Sequence, residues 1–403
     1  MSAVTAPGAR DVDDDTSAEK ALATVEALID ADPLLASSEP VIGPALPPAV
    51  SRGKKRARPP PRAPDGERMH PRNVFAASNP DFAALAATHP RLLPYLVETK
   101  DGLHTIDFAS WDATFELNRA LLDACYGVKH WEVPRGHLCP PVANRANYVH
   151  WIEDLLALSR PASASASAAG PALVGLDVGV GASCVYPLIG ASLNGWRFVG
   201  IDVTDVAVAG ARANAAGNPA IRHLVEIRDA RTFRLAGTSP TLENQTRTNE
   251  NDSRGDSLLL PAMDEHETFA FCMCNPPFFD SDIQTEEARR RKNPGSDFGG
   301  SDAETSCPGG ERAFTARLFE DSLALRDRVH WFTTMCGKKE TAKHLRRALA
   351  SRDARVAAVR TTVFRQGKTA RWGVAWSFAE RARSTNGEPL RRGSQILERT
   401  NIS

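Results

Sequence analysis

The residues best suited to chemistry are four consecutive positions, Asn275, Pro276, Pro277 and Phe278, which follow the apolar run FAFCMC. The run is typical of a buried strand, and adjacent prolines cannot continue a sheet, so the chain must turn rigidly at the strand tip. The turn then offers the Asn275 side-chain oxygen and the Pro276 carbonyl as two fixed acceptors. Phe278 offers a face on which a base can stack. The string favours a site for an aromatic amine over a simple turn.

Two acceptors at this turn would suit methyl transfer to an exocyclic amino group. They would hold both N–H donors of the amine and aim its lone pair at an electrophilic methyl group. Transfer would then be an in-line displacement, promoted by alignment and electrostatics. No strong general base is needed, because the nitrogen becomes acidic once it is alkylated.

A glycine-rich string, LDVGVGAS, ends another apolar run and contains Asp177, Gly179 and Gly181. Glycines at a strand end let the backbone approach a ligand closely. A dinucleotide-binding loop would have a third glycine in G-x-G-x-x-G, and this chain continues with ASC instead. The pattern D-x-G-x-G is that of class I methyltransferases, so it predicts S-adenosylmethionine as the cofactor.

Asp202 ends the next apolar run, RFVGID. An acid at the tip of the second strand suits the two ribose hydroxyls of an adenosine ligand. Asp205 lies close by, and either acid would also serve as a helix cap. Asp202 is the favoured ribose contact.

Composition restricts the function classes further. With 42% hydrophobic and 24% charged residues, no apolar run of eighteen, and an acidic start without an apolar h-region, the 403 residues predict neither a membrane span nor secretion. Seven scattered cysteines indicate reduced thiols. Cys272 and Cys274 alternate on a predicted strand and are interpreted as small buried hydrophobes, so no metal is expected.

The first part of the chain divides into an arm and a helical region. Residues 1–68 are rich in Ala, Pro, Ser and Asp and predict a disordered arm. A basic cluster at 52–62 is either a nuclear-import signal, a phosphate-binding arm or a solvated linker. Residues 69–160 predict a small module of three helices that binds RNA and covers the cofactor, and 162–170 a flexible connector.

Strands and helices alternate over 171–380, which predicts an α/β fold of the class I, Rossmann-like type with a doubly wound, mostly parallel sheet. Two stretches interrupt the pattern. Residues 237–267 predict a disordered insertion and 282–310 a flexible loop. Residues 381–403 form a tail.

With these motifs in view, the chain resembles the family that unites the eukaryotic U6 small nuclear RNA adenine-N6 methyltransferase with a bacterial large-subunit ribosomal RNA adenine-N6 methyltransferase. Five strings carry the resemblance, in chain order: PDFAALA, NRANYVHWIEDLL, GLDVGVGASCVYPLIGASLNGW, FCMCNPPFF and WGVAWSF. The resemblance implies methylation of adenine N6 in structured RNA, and U6-like RNA is the expected substrate. The expected location is the nucleus, with the cytoplasm as a further site.

The resemblance also implies roles for individual residues. Asn275 matches the catalytic asparagine, which also lies at the cofactor. The matching cofactor contacts are Arg145, Gly179, Ser183, Asp202 and Thr232.

RNA binding should come from basic residues near the rim of the cleft. The candidates lie at the start of the helical module, after the NPPF string, in the string CGKK and in the string RQGKTARW. They are Arg72, Arg289, Arg290, Arg291, Lys292, Lys338, Lys339, Arg365, Lys368 and Arg371. Each is also compatible with an ordinary solvated surface.

Three other functions remain open from the residues alone. A glutamine-amide protein methyltransferase would also use NPP followed by an aromatic residue. A non-catalytic RNA-binding protein that senses S-adenosylmethionine would keep the cofactor loop. A nicotinamide dehydrogenase is disfavoured by the missing third glycine. The chain is expected to be a monomer.

Overall fold

The computed structural model describes residues 69–76, 80–159, 172–233, 257–280, 302–366, 369–379 and 398–399. The predictions for the arm 1–68 and the connector 162–170 lie outside these residues. So do most of the predicted insertion, most of the predicted loop and nearly all of the tail.

The N-terminal region contains three helices and a small hairpin. Asp81 caps the first helix, accepting from the N–H groups of Ala83 and Ala84 at 3.0 Å, as the motif NPDFAALA predicts. The elements are α1 Phe82–Thr88, β1 Leu96–Glu98, β2 His104–Ile106, α2 Trp111–Tyr126 and α3 Val142–Leu158.

The remaining elements build one sheet and its covering helices. The strands are β3 Val174–Val178, β4 Arg197–Asp202, β5 Val225–Asp229, β6 Phe269–Cys274, β7 Val329–Cys336, β8 Ala358–Gln366, β9 Thr369–Ser377 and the two-residue β10 Glu398–Arg399. The helices are α4 Val185–Asn194, α5 Asp205–Ala216, α6 Asp302–Thr305, α7 Gly310–Leu325 and α8 Lys339–Ala350. Short 3-10 turns cover Pro90–Tyr95, Arg222–Leu224, Leu260–Ala262 and Arg326–Arg328.

The strand order is β10-β8-β9-β7-β6-β3-β4-β5. Strands β3 to β7 pair with one another in parallel, whereas β9 is antiparallel to both β7 and β8. The predicted doubly wound, mostly parallel α/β sheet is therefore confirmed. Its first strand in this domain, β3, has β4 on one side and β6 on the other.

Strand β6 illustrates how the sheet separates two cores. Phe271 and Met273 belong to the core shared with α2, α3 and α4, and Cys272 and Cys274 to the core shared with α7 and α8. All four side chains are fully buried. The alternation supports the interpretation of the C-x-C pair as small buried hydrophobes. Within the described ranges, no cluster of metal-ligating side chains occurs and no helix is long and apolar enough to cross a bilayer.

The N-terminal helices are part of the same body as the sheet. Tyr148 and Trp151 on α3 contact Phe364 on β8, with ring centroids 5.4 and 5.6 Å apart. The predicted helical module therefore packs directly on one face of the sheet.

Two predicted boundaries are wrong in part. Residues 257–267, assigned to a disordered insertion, are ordered, and Leu259 and Met263 are buried in the core beside α7. The run SLLLPAM is too short to show a period, and α7 is what gives it a surface to pack on. Within the predicted loop 282–310, residues 302–305 form α6, and α7 begins at Gly310.

We predict that Asp321 on α7 is what fixes the segment 257–263. Its carboxylate accepts from the N–H groups of Leu258 and Leu259 at 2.8 and 2.9 Å. Asp321→Ala leaves the partly buried Leu258 N–H and the buried Leu259 N–H without this acceptor and should lower the free energy of unfolding in urea by about 2 kcal/mol. The exposed Asp327 is the matched control, and Asp327→Ala should change it by less than about 0.5 kcal/mol. Equal effects of the two substitutions would contradict the assignment.

Candidate active site

The predicted cofactor and catalytic residues leave the sheet at three neighbouring strand ends. Val178, the last residue of β3, pairs with Ile201 on β4 and with Cys274 on β6. The chain continues from these positions into the glycine loop, Asp202 and Asn275. Because all three strands are parallel, their carboxyl ends form one crevice, where ligands of such sheets bind.

The glycine loop after β3 leaves open space at the crevice. Gly179 and Gly181 have φ of 72° and 62°, a region that disfavours other residues. A Cβ built on either glycine would have no heavy atom of the described residues within 4 Å. The Gly181 N–H donates to Asp202 Oδ2 at 3.0 Å, so the loop and the next strand end are tied together.

Two side chains that were not predicted hold the far end of this loop. The indole of the fully buried Trp131 donates to the Ser183 carbonyl at 2.8 Å, and the Asn214 amide donates to the Ala182 carbonyl at 2.9 Å. Asn214 also accepts from the Glu132 N–H at 2.8 Å. Asn214 therefore fixes the segment that carries Trp131 as well as the loop itself.

Asn218, four residues later and just beyond the end of α5, accepts from Lys129 N–H at 2.8 Å and donates to the His130 carbonyl at 2.7 Å. The sequence signal is a pair of asparagines at helical spacing in ANAAGN, which resembles an ordinary polar face. Their depth of burial distinguishes them.

Asp202 is held in place by backbone groups of its own turn. Oδ1 accepts from Val203 N–H at 2.8 Å and from Thr204 N–H at 3.2 Å. Thr204, not either acid, caps helix α5 with its side chain. Asp205 is exposed and paired with Arg231, whereas Asp202 is bonded to the glycine loop through the Gly181 N–H.

Asp177 and Arg145 bring a carboxyl group and a guanidinium to the buried wall of the crevice. Burial, reinforced by the charge of Asp202 and partly offset by Arg145, raises the pKa of Asp177 to about 8. Arg145 on α3 donates to Tyr186 Oη at 3.1 Å. In the described part of the chain, Asp177 Oδ2 and Arg145 Nε are buried without hydrogen-bond partners. A polar ligand in the crevice fits these groups.

The turn after β6 is held on its far side. Phe278 and Phe279 donate their N–H groups to the Thr305 carbonyl at 3.1 and 3.0 Å. Pro276 is buried and Asn275 half-buried. No hydrogen bond joins the Asn275 amide to another described residue.

The Phe278 ring lies between a glycine and an arginine. The Arg371 guanidinium lies 4.7 Å from the ring centroid, and a Cβ on Gly337 would be 2.8 Å from Phe278 Cδ1. Buried Glu311 accepts from the N–H groups of Gly337 and Lys338, so it fixes this glycine against the ring. Burial, followed by the charge of Arg145, lowers the pKa of Arg371.

The other predicted residues are dispersed. Thr232 is exposed in the turn after β5, at the same sheet edge. Arg72 is paired with Glu153 and Asp154. Their roles stay predictions, as do those of three exposed side chains, Lys338, Lys339 and Arg365. Five candidates lie outside the described residues: Arg289, Arg290, Arg291, Lys292 and Lys368.

The domain has the features of a class I methyltransferase. A glycine loop follows β3, an acid ends β4 and the NPPF turn follows β6, on a parallel sheet to which β9 is added antiparallel. Proteins described as RNA methyltransferases form the family that matches residues 64–237 and 237–380. The chain belongs to this family. Family membership confirms the predicted relationship, and S-adenosylmethionine is the cofactor.

Among curated relatives, the ribosomal RNA large subunit methyltransferase F of Dechloromonas aromatica is 36% identical over 77% of this chain and 87% of its own length. Among solved structures, the human METTL16 catalytic domain in complex with a MAT2A 3'UTR hairpin is 32% identical, with a TM-score of 0.61 over 77% of this chain and 96% of that one. The N-terminal domain of human METTL16 in complex with SAH is 32% identical, with a TM-score of 0.58 over 77% and 99%.

Gly181 provides a test of the cofactor loop with a matched control. Gly181→Ala puts a β-carbon into the open cradle and forces alanine to φ of 62°, whereas Gly127→Ala imposes a similar strain at φ of 67° on the C-cap of α2. Both should lose about 1–2 kcal/mol of stability. Only Gly181→Ala should weaken S-adenosylmethionine binding in calorimetry, by about tenfold or more, which corresponds to about 1.4 kcal/mol. Equal affinities of the two variants would refute the cradle.

Asp177 predicts a pH dependence of stability. Its pKa is about 8 in the folded protein and its ordinary value is 3.8, so the folded state binds this proton more tightly than the unfolded state. That stability is fully present below about pH 4 and is lost as the pH rises to about 8. The side chain of the Asp177→Asn variant cannot ionise. Without cofactor, the melting temperature of the variant minus that of wild type should therefore increase from about pH 4 to about pH 8 and stay constant at higher pH. Parallel profiles of the variant and of wild type would contradict the assignment.

Proposed function

We propose that this chain transfers the methyl group of S-adenosylmethionine to the N6 amino group of an adenine in structured RNA. The observation that carries the proposal is the position of Asn275. Its half-buried amide follows the strand that pairs with β3, beside the glycine loop and with no bond to another described residue.

Asn275 and Pro276 orient the adenine amine. The Asn275 side-chain oxygen and the Pro276 carbonyl accept the two N–H groups of the adenine amine, which orients the nitrogen lone pair towards the cofactor. When bound, S-adenosylmethionine supplies an electrophilic methyl group on a sulfonium. A nitrogen–carbon bond forms, the carbon–sulfur bond breaks, and the alkylated nitrogen releases a proton. Alignment and electrostatics supply the rate enhancement.

The cofactor side of the crevice is formed by groups with unused hydrogen-bonding capacity. Gly179 and Gly181 let the backbone approach the ligand, and Asp202 supplies acceptors for the ribose hydroxyls. Asp177 Oδ2 and Arg145 Nε are buried without partners among the described residues, and the two groups are close enough for Arg145 to lower the pKa of Asp177. SAH, which the METTL16 neighbour binds, is what remains of S-adenosylmethionine after methyl transfer, and this supports the assignment.

Arg371 adds a feature that favours a nucleic acid over a peptide. Its guanidinium lies over the Phe278 ring, and the residue is partly buried. Among the described residues, the guanidinium donates a hydrogen bond only to the Ala370 carbonyl. A target base that stacks on this face of Phe278 displaces the guanidinium, whose charge is then free to pair with a phosphate.

Two RNAs are the candidate substrates. U6 small nuclear RNA follows from the motif resemblance, and a nuclear location would go with it, supported by the basic cluster at 52–62. Large-subunit ribosomal RNA is the second candidate. It appears in the name of the Dechloromonas aromatica relative, and the match covers 87% of that protein's length. The hairpin bound to the human neighbour favours a structured target in either case.

We predict that purified protein, with methyl-labelled S-adenosylmethionine and structured RNA, produces labelled N6-methyladenosine after digestion to nucleosides. A U6 hairpin, large-subunit ribosomal RNA lacking the modification, and a glutamine-containing peptide would be compared. Asn275→Ala should lower kcat by about 100-fold or more, because removing one positioned hydrogen-bonding group at a reacting centre costs that much. Cofactor affinity should change little.

The three substrates separate the alternatives. Label in ribosomal RNA alone would keep adenine methylation and overturn the U6 assignment. Label in the peptide alone would establish the glutamine-amide reaction. Tight cofactor and RNA binding without label in any substrate would contradict catalysis and leave a sensor of S-adenosylmethionine.

A further inference from the structure

The strand that leads to the NPPF turn has lost part of its sheet pairing just before the turn. On the β3 side, β6 is paired as far as Cys274, opposite Val178. On the β7 side, the pairing ends at Cys272, opposite Phe332. The last two residues of β6 therefore have a strand neighbour on one side, and the backbone groups that face β7 need other partners.

A tyrosine from another part of the fold fills the gap. The Tyr148 ring comes from α3, and its hydroxyl oxygen lies 3.2 Å from the Cys274 nitrogen and 2.7 Å from Thr333 Oγ1 on β7. Thr333 Oγ1 lies 2.9 Å from the Cys272 carbonyl. All four residues are fully buried. We call the two hydroxyl groups, of Tyr148 and Thr333, the hydroxyl bridge.

The donors and acceptors in the bridge form a consistent chain. Thr333 uses its single proton for the Cys272 carbonyl, so its oxygen accepts from Tyr148. The Tyr148 oxygen then accepts from the Cys274 N–H, and the Cys274 carbonyl, at 3.4 Å, is a longer alternative for its proton. Burial keeps the pKa of Tyr148 well above its usual value, so this donor remains protonated.

The Tyr148 hydroxyl has a role separate from the packing of the Tyr148 ring. The Tyr148 ring packs against Trp151, Tyr186 and Phe364, with centroids 5.9, 5.5 and 5.4 Å away. A phenylalanine would keep these contacts. The oxygen alone satisfies the Cys274 N–H, which is the last backbone donor before Asn275.

The same helix also supplies the cofactor pocket. Arg145 and Tyr148 are three residues apart on α3 and so share a face. Arg145 bonds to Tyr186, and the Tyr148 ring meets Tyr186 edge-on. One helix face thus contacts both the cofactor wall and the end of the catalytic strand.

We propose that Tyr148, through the hydroxyl bridge with Thr333, is a positioning residue that fixes the end of β6 and thereby the direction in which Asn275 faces the cofactor. The inference rests on the proposed methyl transfer for its kinetic consequence and on geometry for its structural one. Tyr148 touches no substrate in this role.

The test compares Tyr148→Phe with a control that removes the same atom elsewhere. Tyr126 Oη is buried and has no hydrogen-bond partner among the described residues, so Tyr126→Phe deletes a hydroxyl that bridges nothing there. Hydrogen exchange of the peptide covering 272–278 should accelerate about tenfold or more in Tyr148→Phe, because a local opening is made easier, and should not change in Tyr126→Phe.

Kinetics then separate positioning from simple stability. On the RNA that wild type methylates, Tyr148→Phe should lower kcat by about 100-fold, since small misplacements of a reacting group cost this much, with KM for S-adenosylmethionine within about twofold. Thr333→Ser keeps a hydroxyl and should retain activity. Thr333→Val should reproduce the loss, and the double variant should add little to it.

Each outcome decides the proposal. Unchanged exchange in Tyr148→Phe, or equal acceleration in Tyr126→Phe, would overturn the bridge. Faster exchange with an unchanged kcat would overturn the positioning role. If wild type labels no RNA, the proposed function fails, and the exchange measurement still decides whether the bridge holds the catalytic strand.

Discussion

The site depends on a constraint of sheet topology. Because β3 lies between β4 and β6, the chain segments that follow these three strands diverge from one point on the carboxyl edge of the sheet. The glycine loop, Asp202 and Asn275 are far apart in the chain and become neighbours through this strand order. A different order of the same strands would leave every motif intact and abolish the crevice.

Buried side chains fix the backbone segments that border the crevice. Trp131 and Asn214 fix the glycine loop through backbone carbonyls, and Glu311 fixes Gly337 against Phe278. These bonds satisfy backbone groups that would otherwise be buried without partners. None of these bonds uses the side chain of Asn275, which follows β6 at the same edge of the sheet.

The electrostatics of the pocket favour a ligand that brings its own hydrogen bonds. Burial raises the pKa of Asp177, the charge of Asp202 raises it further, and Arg145 offsets only part of this rise. A second arginine, Arg371, is held over Phe278, and its charge lies near that of Arg145 and near the carboxylate of Glu311. The crevice thus has acids beside the glycine loop and an arginine at the NPPF turn.

The sequence by itself determined the fold class, the glycine loop, the acid at the end of β4 and the NPPF turn, because each depends on neighbouring residues. Apolar periodicity, glycines at a strand end and paired prolines act over a few positions. The tertiary structure decided the rest. Asn214 and Asn218 have the sequence pattern of surface residues, SLLLPAM resembles part of an insertion, and Tyr148 resembles an ordinary core aromatic. The partner of Tyr148, Cys274, is 126 positions away. Such contacts are set by how strands and helices pack, and no local pattern records which distant backbone group a side chain will meet.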